Sequence, residues 1–158
     1  MADRVLELIG AQLEAFSVSA FAGLEQALPV YLHLWQSSEE VYGGFSESQI
    51  IQTKAVAPEL LQWMLQSLAH LDQIIDLDFY FKDDNSGSKI DLYLDSEIDL
   101  GDDSNVLGLA TPNQVNTGTY LMPVYESWWE IFLNAPQLDS DHLRYAAIHE
   151  LGHALGLE

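Results

Sequence analysis

Apolar residues near the start of the chain fall at Val5, Leu6, Ile9, Leu13, Phe16, Ala20, Leu24 and Leu28. Spacings of three and four put them on one face of an amphipathic helix, the usual signature of packing against a domain or a partner. The other face is acidic, which disfavours lying on a membrane. Pro29 is expected to end the helix, dividing the chain into an N-terminal helix over 1–28 and a main domain over 29–158.

The pattern then changes period. Residues 30–35 combine β-branched, aromatic and aliphatic side chains and predict a strand. Ser46 to Gln49 has the form of a capping box ahead of Ile50, Ile51, Val56, Leu60, Leu61, Met64 and Leu68, predicting a second helix that Pro58 kinks or divides. Ile75, Leu77, Phe79 and Phe81 alternate, as do Ile90, Leu92 and Leu94, so strands are expected over 74–81 and 90–95 with a turn over 83–88 between them. Shorter extended pieces are expected at 106–110 and at 119–125, the second carrying an edge-compatible Pro123. A last helix opens near Asp139 and runs through Leu143, Tyr145, Ala146, Ile148, Leu151 and Leu155. This order predicts an α/β (α+β) fold: a twisted mixed sheet of about four to five strands packed on helices, with a helix at the C-terminal end.

Composition narrows the functions available. Twenty-five acidic residues against five Lys and Arg leave a net charge of −20, which repels phosphate backbones and anionic headgroups and so argues against nucleic acid as a partner. No apolar run approaches membrane-spanning length. A hydrophobic fraction of 48 % is too high for an acidic disordered chain, so the charge belongs to the surface of a folded domain. Cysteine is absent, which removes disulfides, thiolate zinc sites and a cysteine nucleophile and leaves His, Asp and Glu as metal ligands.

One motif carries specific chemistry. His149-Glu150-Leu151-Gly152-His153 sets two histidines four apart on an expected helix, where both point to one side and can hold a single metal ion. Glu150 lies beside the first histidine, suited to act as general base on a water and then hand the proton to a leaving amine. The pentapeptide alone would arise by accident in about 1 % of shuffled chains of this composition, and in about 0.1 % once Gly156 is required three residues later. Gly156 has a physical reason to be there, because a ligand-bearing helix must stop and turn sharply if another ligand is to arrive from nearby sequence.

The segment from His149 to Glu158 resembles the first ten positions of the metzincin zinc signature HExxHxxGxxH, and its wording is closest to serralysin-like and matrixin-like metallopeptidases. The resemblance implies a zincin-like catalytic domain over 29–158, a zinc-dependent endopeptidase acting on protein or peptide substrates, with His149 and His153 as zinc ligands and Glu150 as catalytic base. It also implies that Leu107, Gly108, Leu109 and Ala110 form an edge strand that pairs with extended substrate, and an extracellular location, although the N-terminus has no secretory signal and a cytoplasmic location is the alternative. The sequence stops at Glu158, one position before the signature's third histidine, as expected of a truncated domain. A non-catalytic remnant serving as an acidic binding domain is the alternative reading.

Few other residues suit the place of a third ligand. His142 lies seven residues before His149, about 10 Å along a helix and too far for a shared ion. His33 and His70 are expected to be structural, whereas Glu158 or a terminal carboxylate is a possible oxygen ligand. The groups Asp83, Asp84, Asn85, Ser86 and Asp99, Asp102, Asp103, Asn105 offer oxygens suited to calcium, with solvated turns as the alternative. Trp128 and Trp129 are expected to pack in the core.

Overall fold

The computed structural model describes residues 2–24, 27–44, 47–75, 77–96, 106–135 and 139–157. Its elements are α1 (Ala2–Ala20), β1 (Leu28–Leu32), β2 (Ser38–Val41), β3 (Gln49–Gln52), α2 (Pro58–Ile75), β4 (Phe79–Lys82), β5 (Ile90–Asp95), β6 (Gly108–Asn116), β7 (Tyr125–Asn134) and α3 (Ser140–Leu155). Five strands form a mixed sheet in the order β4-β1-β5-β7-β6, and β2 and β3 form a separate hairpin. Strand β1 runs parallel to β4 and β5, β5 parallel to β7, and β6 antiparallel to β7. This is the α+β architecture that the alternation of elements predicts.

The two-residue period of each strand sorts its side chains between two layers. Leu28, Val30, Ile90, Leu92, Trp129, Ile131 and Leu133 face the helices, where they meet Leu60, Met64 and Leu68 of α2 and Leu143, Ala147, Leu151 and Ala154 of α3. Tyr31, Tyr93 and Phe132 point the other way and are covered by Val41 and Ile51 of the hairpin. Helix α1 closes the first core from outside: Phe16 sets its ring edge-on to Trp129 at 5.3 Å, and the Ser17 hydroxyl lies 2.9 Å from the Ala154 carbonyl of α3. Trp129 is thus fully buried, as expected, while Trp128 is half-buried against Tyr42. Among the described residues no helix is long and apolar enough to cross a membrane.

Several element boundaries differ from the expectations: β1 ends at Leu32 rather than at Trp35, and β6 runs on to Asn116. Helix α1 ends at Ala20, and Gly23, at φ 79°, takes a left-handed turn well before Pro29, which instead lies within β1. Ile50 and Ile51 belong to β3: Ile51 is buried under the sheet and Ile50 is 64 % exposed, a two-residue alternation rather than a helical one. Helix α2 therefore begins at Pro58, whose fixed φ and missing N–H suit a first helical position, instead of being kinked by it. Ser46 of the supposed capping box lies outside the described residues.

The remaining two differences concern strand starts. Ile74 and Ile75 finish α2, so β4 starts only at Phe79. Of the stretch 119–125 only Tyr125 is strand, the start of β7, and the rest is the turn of the β6–β7 hairpin: the Thr119 N–H donates to the Met122 carbonyl at 3.0 Å and the Met122 N–H returns to Thr119 at 3.2 Å. A Cβ on Gly118 would stand 2.3 Å from the Met122 carbonyl oxygen, so only glycine allows this tight reversal.

Candidate active site

Helix α3 carries the motif and is bounded at both ends by its own sequence. Asp139 is the N-cap, its Oδ1 accepting from the backbone N–H groups of Asp141 at 3.1 Å and His142 at 3.0 Å. These bonds, first of all that from the His142 N–H, hold the Asp139 carboxyl below its usual pKa at the positive end of the helix. The other end closes at Gly156, with φ 74°, where the Gly156 and Leu157 N–H groups bond back to carbonyls of the last turn.

On the exposed side of α3, the His149 and His153 rings meet edge to face with centroids 4.6 Å apart, and their Nε2 atoms are separated by 3.2 Å. Two imidazole nitrogens on one tetrahedral zinc, each about 2.0 to 2.1 Å from it, stand about 3.3 Å apart. The pair therefore has the spacing of two of the three protein ligands that a catalytic zinc ion takes. Tyr145, one turn earlier, stacks on His149 with rings 11° from parallel. Leu71 of α2 with Ile148, Leu155 and Leu157 lines a pocket of about 270 Å³ that includes both histidines.

Glu150, about 100° around the helix from His149, is turned toward β6 and is 7 % exposed. Burial raises its pKa, while the neighbouring His149 and a hydrogen bond from the Ala110 N–H act in the other direction. Ala110 belongs to β6, and Gly108 on the same strand touches the Glu150 side chain so closely that an added Cβ would lie 2.8 Å from its Cγ and Oε1.

The hydrogen-bond parity of β6 explains why a helix side chain reaches that N–H. Leu107 accepts from the Asn134 N–H at 3.0 Å, and the Thr117 N–H donates to Val124 at 2.8 Å, so odd-numbered residues of this ladder turn their backbone groups toward β7. Even-numbered residues, Gly108, Ala110, Pro112, Gln114 and Asn116, turn theirs to the free edge of the sheet. Glu150 thus occupies that edge at Ala110. Pro112, which has no N–H to offer, sits where no ladder donor is lost.

The predicted site residues divide accordingly. His149 and His153 come together, Glu150 meets Ala110 and Gly108, and residues 107–110 lie at the start of the edge strand with Leu107 46 % exposed. His142 stands at the first turn, 3.0 Å from Asp139. His33 is wholly buried beyond β1, bonded to the Tyr31 hydroxyl and to Ser37, and burial lowers its pKa. His70 is exposed on α2. Among the described residues no third His, Asp or Glu joins the pair, and Glu158 lies outside them. The Asp83–Ser86 group forms an exposed turn in which Asp84 accepts the Ser86 N–H; Asp99, Asp102, Asp103 and Asn105 lie outside the described residues.

Three buried acids on the hairpin side, Asp91, Asp95 and Glu130, stand outside the site expected from the sequence. Glu130 accepts from the Tyr42 and Gly43 N–H groups and from Asn113 Nδ2, tying the end of β2 to the sheet. Asp91 accepts from the Ser88 hydroxyl, and burial pushes its pKa up to about 8. Glu130 stands between Trp128 and Phe132 on its strand face, whereas Asp91 and Asp95 flank Tyr93, so alternation alone gave no reason to expect their burial. Comparison of the chain with protein families, curated proteins and solved structures finds no match.

Proposed function

We propose that this chain is the catalytic portion of a zinc-dependent endopeptidase, with His149 and His153 holding the metal. The observation that carries the reading is the 3.2 Å between the two Nε2 atoms, beside a glutamate that is hydrogen-bonded to an edge strand. Zinc, when bound, supplies a Lewis acid for the scissile carbonyl and lowers the pKa of water. Glu150 takes a proton from the attacking water on a carboxylate oxygen and delivers it to the leaving amine nitrogen. The Ala110 N–H fixes the carboxylate for that exchange. Carbonyls of Ala110 and Pro112 and both backbone groups of Gln114 face outward on the free edge, where they hold an extended substrate as an added strand.

The test is zinc content together with cleavage of casein by the wild type and by Glu150→Gln. Stoichiometric zinc in both proteins, with cleavage lost in the variant, supports the reading. Zinc uptake with equal cleavage by both removes Glu150 as the base. Zinc uptake with no cleavage by the wild type favours the non-catalytic acidic binding domain.

A further inference from the structure

In a chain of net charge −20, the twenty residues from Val106 to Tyr125 contain no Asp, Glu, Lys, Arg or His. They make up β6 and the turn of its hairpin. The turn ends in Tyr120, Leu121 and Met122, which are 97, 87 and 75 % exposed. Adjacent apolar side chains so far into solvent are unusual and mark contact surfaces.

The tip is held in shape by its own polar groups. Asn116 Oδ1 accepts from the N–H groups of Gly118 at 2.9 Å and Val124 at 3.1 Å, and Thr119 Oγ1 accepts from Met122 at 3.1 Å. With those bonds made inside the turn, a partner does not have to order the backbone that carries the apolar side chains, which lowers the entropic cost of binding. The parity of the ladder also carries through, because Thr117 bonds Val124 and Thr119 bonds Met122. The free edge that begins beside Glu150 therefore runs to Asn116, and the tip, whose Gly118 N–H is taken by Asn116 Oδ1, follows directly beyond it.

We propose that Tyr120, Leu121 and Met122 are a docking site for an apolar stretch of an extended polypeptide whose preceding or following residues pair with the free edge of β6. This rests on the reading of that edge as the substrate side. From Ala110 to Asn116 the edge spans about 20 Å, so the tip beyond it engages residues more than about six positions from those beside Glu150. Two features favour an uncharged polypeptide over other occupants. The open backbone groups beside Glu150 and the apolar tip lie on one hairpin, the tip directly following the strand, and strand pairing is a polypeptide's mode of attachment. A second copy brings another −20, which opposes self-association.

The experiment measures fluorescence anisotropy of a labelled extended peptide of about sixteen residues with a Leu- and Phe-rich end, titrated with the full chain carrying Glu150→Gln so that the probe survives. The triple variant Tyr120→Ser, Leu121→Ser, Met122→Ser, and Leu121→Ser alone, are compared on the same background, with circular dichroism to verify the fold. The triple change is expected to weaken binding about tenfold and the single change about threefold. Unchanged affinity in both overturns the proposal. Tip-dependent sedimentation with phosphatidylcholine vesicles, at unchanged peptide affinity, overturns it in favour of a lipid surface. Casein cleavage by the wild type, run in parallel, separates the two readings. Tip-dependent peptide binding without any cleavage keeps the docking site and removes the peptidase; cleavage with tip-independent binding does the reverse.

Discussion

Gly108 and Glu150 are in such close contact that a single methyl group added to the glycine would stand 2.8 Å from the glutamate Cγ and Oε1. The edge strand and the helix are thus fitted to each other at the carboxylate proposed as base. Gly108→Ala is expected to displace that carboxylate from the Ala110 N–H while leaving the two histidines alone. Casein cleavage should fall on the order of 10²-fold, the usual consequence of misplacing a reacting group by about 1 Å. Zinc content should be unchanged. Wild-type activity in the variant would show that Glu150 does not act from this position.

The histidine pair predicts a thermal effect of zinc. A ligand that binds only the folded chain stabilises it by about 2.7 kcal/mol at a hundred times its Kd. Differential scanning fluorimetry should show a rise in Tm on adding zinc, reversed by a chelator and abolished by either His149→Ala or His153→Ala. Equal shifts in wild type and variants would mean that zinc binds elsewhere.

Asp91 predicts a pH dependence of stability. Its folded pKa of about 8 lies above the ordinary 3.8, so between those values the folded state holds a proton that the unfolded chain releases. The stability linked to that proton is fully present below about pH 4 and is lost as pH rises through about 8. Asp91→Asn keeps an acceptor for the Ser88 hydroxyl and removes the ionisation. Urea denaturation should find the variant more stable than the wild type at pH 8.5, by a few kcal/mol, with the advantage shrinking as pH falls and gone below about pH 4. Parallel pH profiles would exclude Asp91 as the source.

Helix α1 is expected to contribute to the stability of the whole domain. Phe16 lies against the buried Trp129, and Ser17 reaches α3 next to its C-terminal turn. Phe16→Ala should destabilise the protein by about 2 kcal/mol, less than for a fully buried phenylalanine because Phe16 is half-buried. An unchanged denaturation midpoint would show that α1 is detachable from the core.

Several features were legible because their cause is local. The alternation at Ile90, Leu92 and Leu94 predicts β5, and all three side chains do face the helices. Asp139 and Gly156 bound α3 by hydrogen bonds within a few residues of themselves. The misread segments depend on distant partners instead. Ile50 and Ile51 fit a helical stripe in isolation, but Ile51 is buried among Tyr31, Tyr93 and Phe132 of the main sheet, and that burial favours a strand. Residues 119–125 have strand composition, yet Gly118 and the bonds of Asn116 turn the chain there.

The candidate site shows the same division. His149 and His153 share one side of α3 because a helix turns 3.6 residues at a time, so their proximity followed from a spacing of four. The charge and the absence of cysteine likewise limited the partners and ligands before any fold was known. Only the tertiary structure brought Glu150 to the free edge of β6, because that contact joins residues forty positions apart and depends on two things no local pattern encodes. One is the parity of the β6 ladder, set by its register with β7; the other is the missing Cβ at Gly108, whose purpose appears only when α3 packs against the strand.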